Sequence, residues 1–158
     1  MNTIPETTVA RVRAELQLVS RELGGIQTKL GVVHDGGHAY LGIVLVGVGV
    51  NAELFAARDP VSKVNALILL PAGYPVMPPL GVYVNYNFQY SGAAHNVGRG
   101  YHGAPTLTDK GWFWFCFGYA LGEAAALSPW RPGSRPDNGH NLGTIIASAR
   151  AQLSLGKN

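Results

Sequence analysis

The stretch Leu70-Pro71-Ala72-Gly73-Tyr74-Pro75-Val76-Met77-Pro78-Pro79 constrains this chain more than any other. An aliphatic run precedes it at 64–70 and a second, Leu80-Gly81-Val82-Tyr83-Val84, follows it, and both read as strands. Between them four prolines and a glycine exclude a regular helix or strand. Each proline fixes its own φ and pushes the residue before it towards extended backbone. Two neighbouring strands joined by a stiff, preset crossover is the arrangement this pattern predicts.

The elements around that crossover follow from periodicity. Thr3-Ile4-Pro5-Glu6 reads as a helix start, with Thr3 as cap, Glu6 at the reciprocal box position and Pro5 in the first turn. Val9, Val12, Leu16, Val19 and Leu23 then form one stripe at helical spacing, most of the arginines and glutamates lie off it, and Gly24-Gly25 ends the helix. Strands are expected at 26–33, 40–50, 64–70 and 80–84, the first closed by the tight-turn signal Asp35-Gly36-Gly37. No crossover helix separates them, so an antiparallel meander is the economical topology. Residues 85–111 are irregular and too long for an idle connection. The aromatic segment 112–117 follows; on a strand it would put Trp112, Trp114 and Cys116 on one face and Phe113, Phe115 and Phe117 on the other. A turn or two of helix is expected within 121–127. A last helix carries Leu142, Ile145, Ile146, Ala149 and Leu153 on one face, with Gly156 just past its end. The fold class is α+β in a single domain, 1–158: N-terminal helix, four-stranded antiparallel meander, proline crossover, irregular segment, C-terminal helix.

Composition narrows the function classes. A chain of 158 residues can bury a real core without metal or disulfide staples. Only 13% of residues are charged, and the net charge of +3 comes from scattered lysines and arginines, with no cluster that would track phosphates. Nucleic acid is therefore not an expected partner. The longest apolar run, 41–50, is half a membrane span and broken by glycines, and residues 1–6 have no export-signal pattern. A single cysteine allows no internal disulfide, so a cytoplasmic protein with no membrane partner is the expectation. His34, His38, His95, His102 and His140 match no ligand signature, so no metal is expected, and no cofactor. Gly47-Val48-Gly49 and Gly98-Arg99-Gly100 lack the third glycine and the following helix of a nucleotide loop.

The crossover Tyr74-Pro75-x-x-Pro78-Pro79, then His95-Asn96, Cys116, Trp130-Arg131-Pro132 and the final helix resemble, in that order, the ubiquitin-conjugating (E2) family. The Trp130-Arg131-Pro132-Gly133 form is similar to a bacterial E2-like group. Three features depart from the family pattern: no proline between His95 and Asn96, longer gaps on either side of Cys116, and a cysteine embedded in aromatic residues. The resemblance implies a carrier that receives a ubiquitin-like modifier from an E1-like activator as a thioester on Cys116 and passes it to an amine acceptor. It implies Asn96 as an amide donor to the oxyanion, His95 as the residue that shapes its loop, and a deubiquitinase-like peptidase as a further partner. The activator consumes the ATP, so the carrier needs no cofactor.

Each site residue also has a plainer reading. Free cysteine is among the most buried residue types, and an aromatic strand offers neither positive charge nor a helix N-terminus to favour the thiolate. Asn96 can equally bond its own backbone in a glycine-rich turn. Tyr74, Pro75, Pro78, Pro79, Trp130 and Pro132 read as scaffold. The alternative function is a non-catalytic E2-shaped module that binds a ubiquitin-like protein or bridges partners. A last expectation is that 85–111, weighted by Tyr86, Phe88, Tyr90 and Tyr101, covers Cys116 and is displaced by a partner.

Overall fold

The structure is a computed structural model describing residues 2–51, 62–79, 81–86, 107, 109–116 and 130–155, without the side chains of 115, 116, 152 and 155. The elements are α1 (Glu6–Glu22), β1 (Gln27–Asp35), β2 (His38–Gly49), β3 (Lys63–Leu70), β4 (Gly81–Val84), β5 (Phe113–Cys116) and α2 (Leu142–Leu155). All five strands form one sheet in the order β1-β2-β3-β4-β5, each pair antiparallel. The α+β class, the meander and both terminal helices are as expected. Among the described residues, however, the sheet has five strands, not four. Its extra strand is the aromatic segment, which pairs with β4 from Gly81↔Cys116 to Val84↔Phe113. Aromatic residues suit a pleated surface once a neighbour offers a ladder, and β4 supplied that neighbour. Among the described residues no helix is long and apolar enough to cross a membrane.

Helices α1 and α2 lie on one face. The stripe residues Val12 and Val19 of α1 and Leu142, Ile145, Ile146, Ala149 and Leu153 of α2 pack on Leu41, Ile43, Leu45, Ala66, Ile68, Val82 and Val84 of the sheet. The opposite face carries a second cluster of Leu67, Tyr83, Leu107 and Trp114, joined by Val33, Val44, Leu69 and Trp112. Trp112 and Trp114 thus share the second face while Phe113 packs in the main core, as strand alternation requires.

Local chemistry sets the turns. Asp35 and His38 close a two-residue hairpin on Gly36 and Gly37, whose φ of 55° and 79° are those of the tight turn that matches strand twist. Gly47 sits in a β-bulge: the β2–β3 register slips between Leu45 and Val48, its φ is 68°, and its N–H donates to Asn65 Oδ1 at 3.0 Å.

The start of α1 differs from expectation. Pro5, not Thr3, is the N-cap, in extended conformation and with no side-chain cap bond. The reason lies upstream, where Asn2 is drawn to the sheet: its Nδ2 donates to Ala39 O at 2.8 Å, and Ala39 N donates to its Oδ1 at 2.7 Å. In the β2–β3 register Leu41 faces Leu70, so Ala39 would face residue 72, but the chain turns off at Pro71. The Asn2 carboxamide fills the vacated rung and anchors the chain just ahead of α1.

Candidate functional site

The crossover packs against the middle of α1. Tyr74 is buried, and its hydroxyl donates a short hydrogen bond to Glu15 Oε2. Glu15 is itself fully buried on α1, where it also accepts from Leu142 N at 2.9 Å and from Arg11 Nε at 2.7 Å. One carboxylate therefore joins the first helix, the crossover and the first turn of the last helix. A carboxylate at a helix N-terminus meets the positive end of the helix dipole. Asn141 completes that end: its Oδ1 accepts from Thr144 N, and Thr144 Oγ1 accepts from Asn141 N. Burial pushes the Tyr74 phenol well above its usual range, and the Glu15 charge and hydrogen bond push the same way.

Glu15 is the residue the sequence reading passed over. Three residues after Val12 and four before Val19, it lies within the apolar stripe, which is the signal that a buried role was available.

The second anchor is Trp130. Its Nε1 donates to Pro75 O at 2.7 Å, and its ring lies 6.4 Å from Tyr74 and 5.5 Å from His140. The Tyr74–Pro75 peptide is cis. From Trp130 the chain forms a clasp over 131–140: Arg131 N donates to His140 Nδ1 and His140 N to Arg131 O, both at 2.9 Å. Pro132 bridges to Gly139 and His140. Tyr74, Trp130 and Pro132 are thus scaffold, as expected, and they pin the start of α2. Val76 and Met77, at the tip of the crossover, are 74% and 42% exposed.

Cys116 ends β5, its backbone in register with Gly81, the first residue of β4 after the crossover. The strand thus brings the cysteine backbone to the crossover end of the sheet. His95 and Asn96 lie outside the described residues, as does the short helix expected within 121–127. So does most of the 85–111 segment expected to cover Cys116. Among the described residues no group of three or more His, Cys, Asp or Glu side chains could hold a metal ion.

On the second face, Tyr83 meets Trp114 edge to face at 5.1 Å. Burial, then the charge of Asp35, then Tyr40, push its phenol up to about 12. Asp35, legible in the sequence only as a turn residue, is buried, and neither carboxylate oxygen is hydrogen-bonded among the described residues.

Compared with protein-family models, with curated proteins and with solved structures, the chain matches none.

Proposed function

We propose that this chain is an E2-like carrier, accepting a ubiquitin-like modifier from an E1-like activator on Cys116 and passing it to an amine. One observation carries the reading. The two most specific pieces of the motif order, Tyr74-Pro75 and Trp130-Arg131-Pro132, pack into a single unit through the Trp130–Pro75 bond. Cys116 stands on the strand beside the crossover's exit. Two pieces far apart in sequence interlock, and the Cys116 backbone lies in register with the start of β4 that follows one of them, which supports a common purpose.

In the proposed chemistry the Cys116 thiolate attacks the thioester carbonyl of the activator-bound modifier. A new carbon–sulfur bond forms and the activator's thiolate leaves. An acceptor amine then attacks the carbonyl, the Cys116 thiolate departs, and the amine loses a proton to solvent. The incoming thioester is already activated, so a strongly depressed thiol pKa is not required. Asn96 is proposed to donate its amide to the transient oxyanion, and His95 to shape that loop.

The test is incubation with activator, modifier and ATP. A thiol-sensitive adduct is expected, and it should vanish in Cys116→Ala; an adduct that survives this substitution, or none with folded protein, rejects the carrier.

The exposed Val76 and Met77 favour a second reading, a module that contacts a partner through the crossover tip without catalysis. Maleimide labelling separates the two: reaction of Cys116 in the folded chain fits the carrier, and reaction only after denaturation fits the module.

A further inference from the structure

The rung that Asn2 occupies adjoins an unfilled cavity of about 210 Å³ between the N-terminal strap, the start of β2 and the end of β3. Its walls are mostly apolar, formed by Ile4, Pro5, Tyr40, Leu70, Pro71 and Ala72. It is smaller than the ~300–1,000 Å³ typical of small-molecule sites, but it has room for a branched aliphatic side chain. Beside it, Ala39 presents one N–H and one C=O, both held by the carboxamide of Asn2. A carboxamide is a peptide group in miniature, so this rung already accepts the donor–acceptor pair a strand would bring.

We propose that this groove docks an extended peptide segment of a partner protein. Its backbone would exchange with the Asn2 amide on Ala39, and one aliphatic side chain would enter the cavity. The recognition is strand addition along the part of β2 that β3 leaves uncovered: main-chain bonds set the register and the pocket selects the side chain. The rung is open to such exchange because one side chain of the strap holds it and no β3 backbone reaches it. The inference stands apart from the thioester chemistry of Cys116, and its test involves neither activator nor modifier.

The probe is the capped tripeptide acetyl-Ala-Leu-Ala-N-methylamide, titrated into the full chain and followed by amide resonances. Saturable shifts are expected at Ala39, Tyr40 and Leu70, with loss of binding when the probe's leucine is glycine. Asn2→Ala removes the competing amide and should tighten binding about thirtyfold, the worth of the two competing hydrogen bonds. Ala72→Leu, which fills the cavity from its wall, should abolish binding with the melting temperature unchanged. If Asn2→Ala does not fold, the Ala72→Leu arm decides alone. No saturable shift, equal binding of the glycine probe, or undiminished binding to Ala72→Leu overturns the proposal.

Discussion

Glu15 is where single-residue chemistry weighs most. Its two oxygens satisfy a phenol, a helix-terminal N–H and a guanidinium in a site closed to water. Removing one partner of a buried charged pair strands the others, at about 3–5 kcal/mol. Glu15→Ala should therefore destabilise the fold by that order in urea denaturation. Tyr74→Phe deletes one hydrogen bond to a charged group and should cost about 1.5–3 kcal/mol. If Glu15→Ala proves no worse than Tyr74→Phe, the carboxylate is not the hub. Asp35 presents the opposite case, a buried carboxylate with neither oxygen hydrogen-bonded among the described residues. Asp35→Asn removes the charge and should stabilise the fold, because burying an unpaired amide costs less than burying an unpaired carboxylate. It should also bring the Tyr83 phenol down from about 12, since the Asp35 charge is the second cause of that rise. Urea melts and an ultraviolet phenolate titration read both effects.

At the scale of elements, the clasp over 131–140 decides how Trp130 meets the crossover. Two glycines allow it. A Cβ at Gly133 would stand 2.0 Å from Asn138 O, and one at Gly139 would stand 2.6 Å from Gly133 N, where φ is also +72°. Gly139→Ala thus combines left-handed backbone strain, about 1–3 kcal/mol, with a backbone clash. The clasp should open, and the amides of Arg131 and His140, bonded in the closed form, should exchange faster with solvent. Unchanged protection of both would show that the clasp tolerates the extra carbon. Trp130→Phe tests the other end, since it keeps an aromatic ring but loses the bond to Pro75 O. A loss of about 1 kcal/mol is expected.

Across the whole molecule, the two core tyrosines make stability depend on alkaline pH. Folding raises both phenols, so the folded chain holds their protons more tightly than the unfolded chain. That stabilisation is complete below the usual phenol value of 10.0 and is lost as pH rises through the folded value, about 12 for Tyr83. With Tyr83 almost fully buried, a shift of this size corresponds to about 3 kcal/mol. The melting temperature should fall between roughly pH 10 and 12, and less so in Tyr83→Phe. A flat profile in the wild-type chain would contradict the burial of both hydroxyls.

What the sequence alone determined was local. The stripe of α1, the apolar face of α2, the Gly36-Gly37 turn and the proline crossover were all legible, because each is written in residues within a few positions of one another. Periodicity and fixed φ act at that range. The tertiary structure decided the rest. Thr3 looked like a cap until Asn2 found the rung that β3 had left. Glu15 looked like one more polar helix residue until Tyr74 and the first turn of α2 closed over it. The aromatic segment could be written as a strand, but only β4 made it the fifth. Gly47 carried no readable role until two strands fell out of step by one residue. In each case the deciding partner lies far away along the chain. A buried polar group or a strand edge takes its energy from the group that arrives to satisfy it, and local spacing carries no record of that group.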